Sequence, residues 1–301
     1  MSETPAGRLE PAPGVSSSAA PALARAARAA LAAPTPAASA AAAPVPTSAA
    51  PALAMRGLYK RFGATVAVAG LDLDIPVGSF YGIVGPNGAG KTTTLSMATG
   101  LLTPDFGAVW VHGVNLWLEP QRAKPMLGIL PDGLRLFDRL TGAELISYSG
   151  LLRGMDPDVV RSRRDDLIAA LDLTGAAGTL VADYSAGMTK KITLACALVH
   201  APSVLVLDEP FEAVDPISAQ GIRRILRTFV DVGGTVVMSS HVMALVEQVC
   251  DRVAVVAAGR VIASGTLDEV RGGMGLERRF VDLLGLEDIN QDLSWLRPSS
   301  G

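Results

Sequence analysis

The sequence predicts an α/β fold with a largely parallel central sheet. Three observations point there. From Met55 onward, strand-length and helix-length apolar patterns alternate along the chain. Most of the strand runs, among them "FYGIV", "VLVLD" and "RVAVVAAG", are apolar without alternation, as strands covered on both faces are. One of them, "FYGIV", leads directly into the glycine-rich "GPNGAGKTT", which opens a helix pattern.

Taken in order, residues 1–54 are mostly Ala, Pro and Ser, and prolines at 34, 36, 44, 46 and 51 interrupt any helix the alanines favour. This stretch reads as a disordered tail. Its segment "ALARAARAALAA" (Ala22 to Ala33) has too little apolar bulk to anchor on a membrane surface. Glu3 and Glu10 interrupt the start, and no contiguous apolar core of a targeting peptide follows. In "VAVAGLDLDI" (Val66 to Ile75), Val66, Val68, Leu71, Leu73 and Ile75 point one way and Asp72 and Asp74 the other, a half-buried strand. Buried strands are expected at Phe80 to Val84, at "LGIL", and at Val204 to Asp208, Gly234 to Ser240 and Arg252 to Gly259. Between about 134 and 200 the pattern is helical only, at Thr141 to Arg153, Pro157 to Leu171 and Ser185 to Val199, which reads as a helical insertion. The folded region is expected over 55–285, with a C-terminal tail at 286–301.

Bulk properties exclude several classes. A net charge of -3 leaves no footprint for nucleic acid. Cys196 and Cys250 lie far apart in apolar surroundings without metal or CxxC spacing, so they read as buried thiols in a reducing, cytoplasmic compartment. The longest apolar runs fall far short of the ~20 residues that a membrane span needs. No repeat of solenoid length is visible.

The chemistry resides in three motifs. "GPNGAGKTT" (Gly85 to Thr93) matches GxxxxGK[ST]: Gly85, Asn87, Gly88, Ala89 and Gly90 form a loop whose backbone NH groups wrap phosphates. Lys91 then reaches the β and γ phosphates, the Thr92 hydroxyl reaches Mg²⁺, and Thr93 follows on the opening helix. "VLVLDEP" ends a strand with Asp208, placed to hold Mg²⁺, and Glu209, free to orient or deprotonate an attacking water. Without the phosphate loop, "LDEP" would read equally well as a turn with solvated acids. "YSAGMTKK" (Tyr184 to Lys191) is a second candidate anion site, with Ser185 as helix N-cap and Gly187 leaving the backbone open; an ordinary capped helix explains the same residues.

Together with Asp215 in "EAVDP" and His241 in "SSHV", these motifs have the order and spacing of the nucleotide-binding subunits of ATP-binding cassette (ABC) transporters, which the chain resembles over about Met55 to Leu284. The resemblance implies a P-loop ATPase core with an N-terminal antiparallel β part and a helical subdomain, ATP and Mg²⁺ as ligands, and a cytoplasmic location on the inner membrane face beside a membrane-spanning permease subunit. It also implies a second ATPase subunit, with Ser185 and Gly187 facing the γ-phosphate of that partner's ATP. Further roles come from the same source. Phe62 in "KRFG" falls where the family stacks an aromatic on adenine, although a core Phe in the first strand remains open. His241 matches the histidine that contacts the γ-phosphate, and Asp215 the loop aspartate that couples the two sites.

The chain departs from the family pattern at three places. Asp132 in "LPDG" stands where a glutamine is usual, either joining the metal shell or capping its own turn. Ala186 and Met188 replace the commonest signature residues, and Phe211 and Glu212 stand where small polar residues are common. The run "LRLFDRL" (Leu134 to Leu140) either borders a groove for the permease or packs inside the helical insertion. The expected function is an ATPase subunit of an export-type transporter; the alternative is an ATPase of the same class regulating ribosomes or chromosomes, whose relatives carry two cassettes or long coiled coils that this chain lacks.

Overall fold

Five of the strands lie side by side and parallel because their side chains are apolar on both faces. A computed structural model of the chain describes residues 50–133 and 136–284. Its central sheet contains β3 (Phe80–Val84), β6 (Leu127–Leu130), β7 (Val204–Leu207), β8 (Thr235–Ser240), β9 (Arg252–Ala257) and β10 (Arg260–Thr266), in the order β10-β9-β3-β8-β7-β6. All neighbours pair in parallel except β10, which returns antiparallel on β9. Successive residues face opposite cores: Phe80 and Val84 join one apolar cluster and Tyr81 and Ile83 the other, as do Leu205 and Leu207 against Val204 and Val206. Two covered faces explain the missing polar alternation.

One face carries the second sheet. It consists of β1 (Leu53–Phe62), β2 (Thr65–Ile75), β4 (Phe106–Val111) and β5 (Val114–Asn115), antiparallel throughout in the order β2-β1-β4-β5. The helix α1 (Lys91–Ala98) contributes Leu95, Met97 and Ala98 to the same core. After the short α2 (Pro120–Ala123), the other face is covered by α3 (Gly142–Leu151), α4 (Pro157–Ala170), α5 (Ala186–Leu198) and α6 (Pro216–Asp231). All four are stopped at their N-termini by side-chain caps that satisfy otherwise free NH groups: Thr141 with Glu144, Asp156, Ser185 and Asp215.

Two sequence expectations change. The folded part starts before Met55: β1 begins at Leu53, and Ala52 and Leu53 are fully buried, because the ladder with Ile75 reaches that far. Val66, expected inward, is 41% exposed, since the β1/β2 register shifts between Lys60 and Arg61 and turns the hairpin end away from the core. The tail through residue 49, including Ala22 to Ala33, the residues after 284, and Leu134 and Arg135 of "LRLFDRL" lie outside the described residues. Cys250 is buried and Cys196 mostly so, both free; burial pushes the Cys196 thiol up to about 11 and the Cys250 thiol still higher.

His200 seals the edge strand. Its Nε2 lies 2.9 Å from the Leu127 carbonyl oxygen, which accepts, so Nε2 carries the proton of the neutral ring. Burial, with the nearby Arg153 and Arg163 charges, lowers the ring pKa to about 4. The unfolded chain takes up this proton near ~6.5, so the neutral ring contributes stability that is complete above that pH and lost as the pH falls toward 4, by up to about 3 kcal/mol. Urea denaturation from pH 8 to 4 should therefore show a shallower acid loss for His200→Gln than for the unaltered chain; equal slopes would remove His200 from the pH dependence.

Candidate functional site

At the C-terminal end of β3 the chain passes through a space that admits only glycine. A β-carbon at Gly85 would lie 2.2 Å from the Val256 carbonyl oxygen. At Gly90 the backbone is left-handed, with φ 99, and a β-carbon would lie 2.3 Å from the Ala67 oxygen. The loop between them is thus drawn tightly onto β9 and β2, and it delivers the first turn of α1 to a cleft of about 470 Å³. Lys91 is buried beneath the loop, its Nζ donating to the carbonyl oxygens of Gly85 at 2.8 Å and Pro86 at 3.2 Å. An ammonium held only by two neutral carbonyls, beside the first-turn NH groups of a helix, leaves an uncompensated positive site that suits phosphate oxygens.

The cleft gathers most of the expected residues. Asn87, Gly88, Ala89, Gly90, Lys91, Thr92 and Thr93 line it from the loop, Phe62 from the end of β1, and Asp132, Glu209 and His241 from loops that follow β6, β7 and β8. Phe62 is 50% exposed, with Lys60 Nζ 5.8 Å from its ring centroid, so it is a rim residue and not a core one. Glu212 also lines the cleft, whereas its neighbour Phe211 packs on the core.

Asp208 and Glu209 are fixed from β8. Asp208 is 4% exposed at the end of β7, and the Ser239 hydroxyl donates to its Oδ1 in a short hydrogen bond. The same hydroxyl oxygen accepts the Glu209 NH at 2.9 Å. Glu209 has φ 45, a left-handed conformation that costs a non-glycine residue about 1–3 kcal/mol and persists only where its surroundings hold it. Those surroundings are explicit: Ser239 on its NH, Lys190 Nζ of α5 on its carbonyl oxygen at 3.0 Å, and His241 Nδ1 at 3.0 Å from its Oε1. Glu209 lines the same cleft as Lys91 and Thr92. Ser239 and Lys190 escaped the sequence reading, because each meets Glu209 only through tertiary packing.

Ser185, Gly187 and Asp215 do not line this cleft. Ser185 is exposed and caps α5, accepting from the Met188 NH at 3.3 Å. Asp215 caps α6, accepting from Ser218 at 2.9 Å and Ile217 at 3.1 Å, and these bonds, that to Ser218 first, hold its carboxyl below the usual range. Gly187 is buried between them. A β-carbon there would lie 3.0 Å from Asp215 Oδ2 and 3.2 Å from Ser218 Oγ, so a side chain at this position would press on the Asp215 turn.

A parallel sheet with a phosphate loop after one strand and paired acids after another defines a P-loop nucleotide hydrolase. Comparison with known proteins sharpens the class. The family profile described as ABC transporter matches residues 68–212. The chain is 38% identical over 224 residues to the daunorubicin/doxorubicin resistance ATP-binding protein DrrA of Streptomyces peucetius, covering 74% of this chain and 68% of that protein. It is 34% identical over 220 residues to the Nod factor export ATP-binding protein I of Ralstonia nicotianae, covering 73% and 68%. A solved structure described as an ATP-binding subunit of an ABC transporter superposes with TM-score 0.72 at 26% identity, covering 77% of this chain and 99% of that one. The chain belongs to the ATP-binding subunits of ABC transporters. It is an ATPase that powers transport, and subunits of this family dimerise and work with membrane-spanning permeases.

Ser239→Ala removes one hydroxyl that orients both Asp208 and Glu209 and leaves the phosphate loop untouched. Steady-state turnover should fall roughly tenfold or more, as for loss of a buried hydrogen bond to a charged group, while binding of a fluorescent ATP analogue changes little. Parallel loss of binding and turnover would place Ser239 in the structure of the loop instead.

Proposed function

We propose that the chain is one half of an ATP sandwich that drives an exporter: the phosphate-loop cleft of one copy is closed by the exposed Ser185 turn of a second. One observation carries this reading. Ser185 and Ala186, at an anion-attracting helix start on α5, are exposed, and Ser185 does not line its own chain's nucleotide cleft. A second subunit gives that turn an anion.

Within the cleft, Lys91 and the backbone of Gly88 to Gly90 hold the phosphates and Phe62 stacks on the base. Thr92 and Asp132, which line the cleft, and Asp208, buried at the end of β7 next to Glu209, are oxygen donors of the kind that would hold Mg²⁺, which would neutralise charge on the β and γ phosphates. Glu209 accepts the proton of the attacking water, and His241 steadies that carboxylate. Asp215 couples the two halves from beside the Ser185 turn.

The transporter partner is a membrane-spanning permease, the kind of subunit with which this family works; no described helix of this chain is itself long and apolar enough to cross a membrane. Its docking surface is the exposed apolar part of α3 and what precedes it, a reading supported by Tyr148 meeting Phe137 edge-on with ring centroids 5.5 Å apart and by the exposure of Leu151 and Leu152. With that partner the subunit sits on the inner face of the cell membrane. The relatives named for drug resistance and Nod factor export support an outward direction of transport.

Ser185→Arg should keep ATP affinity nearly unchanged and abolish hydrolysis, and mixing it with Lys91→Ala should restore at most one complete site per dimer. Normal hydrolysis by Ser185→Arg alone would contradict the sandwich. Asp132→Ala should shift the Mg²⁺ dependence of ATPase activity to higher concentration, with Asp132→Gln between it and the unaltered chain; superimposable curves would reduce Asp132 to a turn residue.

A further inference from the structure

A second cavity lies at the opposite end of the central sheet. The nucleotide residues follow the C-terminal ends of β3 and β7, whereas Lys124 precedes β6 and His200 precedes β7. With Arg153 from the turn after α3, these basic residues line a cavity of about 540 Å³, a volume typical of small-molecule sites. Its remaining wall includes Gln121 and the apolar Pro125 and Met155, and no acidic side chain is among its lining.

We propose that this cavity binds a small organic oxyanion, a phosphate ester or carboxylate on an apolar body, through Lys124 and Arg153 with His200 in its wall. Charge carries the argument first. Neither Lys124 nor Arg153 forms an ion pair among the described residues, although Arg122, beside them on α2, is paired with Glu119. Arg153 is exposed, lines the cavity and has no ion-pair partner among the described residues, so its guanidinium is open to an entering oxyanion. His200 adds a second observation: with Nε2 committed to the Leu127 carbonyl, its Nδ1 is buried without a hydrogen-bond partner among the described residues. Arg153 from the end of α3 and Arg163 from α4 both oppose a proton on that ring, and an anion beside them relieves this opposition.

The wall composition sets the ligand class. Two cations and an amide suit a single oxyanion, and the prolines and Met155 suit an apolar remainder. The site also bridges two parts of the chain, the lead-in to β6 on the core side and the α3–α4 turn of the helical part that carries α5 and Ser185. An occupant there ties the helical part to the core, at a distance from the nucleotide cleft and independently of what that cleft binds.

The test uses the full chain labelled with ¹³C at histidine Cε1, because the sequence contains only three histidines, His112, His200 and His241. Titration with phenyl phosphate should shift the His200 signal saturably and leave His112 in place, while His241 reports separately any phosphate entering the nucleotide cleft. Inorganic phosphate should act on His200 more weakly, and benzyl alcohol not at all. Lys124→Gln and Arg153→Gln should each weaken the His200 response roughly tenfold or more, the loss expected for a hydrogen bond to a charged group. Arg153→Lys, which keeps the charge, should retain most of it, and an unmoved His112 signal shows that each variant is folded. A His200 signal indifferent to millimolar phenyl phosphate, an equal response to benzyl alcohol, or undiminished affinity in both glutamine variants would overturn the proposal.

Discussion

The rest of the structure depends on the burial of both faces of the parallel strands. Because β3, β6, β7, β8 and β9 alternate their side chains between two apolar cores, they are layered between the antiparallel sheet and the helices, where they pair in parallel. Parallel strands all end on the same edge. The phosphate loop, Asp132, the acidic pair and His241 therefore emerge together, although they are scattered over more than half of the folded chain. A charge or a shift of register in any one of these strands would displace a functional loop as well as weaken the core.

That edge is also where the fold stores strain. Glu209 is held in a left-handed conformation by contacts from β8, α5 and the His241 loop, and the hydroxyl of Ser239 serves Asp208 and Glu209 at once. The Lys190 bond has a mechanical consequence. It joins the backbone of Glu209 to the same helix whose start is Ser185, so a shift of α5 against the core is felt at Glu209 directly. Motion of the helical part and the geometry of hydrolysis are linked through one side chain.

Much of this was legible in the sequence, and the reasons are specific. The apolar runs before Gly85 and Asp208 announced buried strands, and the glycine spacing announced the loop, because both signals are local. β1 was not announced: in "LAMRGLYKRF" its pairing shifts at Met55, Leu58 and Lys60, so the apolar positions lose their period. β10 alternates between half-buried and exposed positions on the sheet edge and carries little apolar signal. Ser239 and Lys190 have ordinary local surroundings, and their partner lies 30 and 19 residues away in sequence. Gly187 shows the opposite case, a glycine read for a ligand that close packing against Asp215 and Ser218 also favours.

The central claim is that each nucleotide cleft is completed by another copy of the chain. Disulfide trapping tests it most directly, since the native Cys250 is buried and burial holds the Cys196 thiol up near 11, leaving little reactive background. Chains carrying Ser185→Cys and chains carrying Asn87→Cys, both at exposed positions, are mixed and oxidised with and without ATP. The account predicts a cross-linked heterodimer that forms with ATP and is absent or much reduced without it. A cross-link indifferent to ATP, or none in either condition, would contradict it.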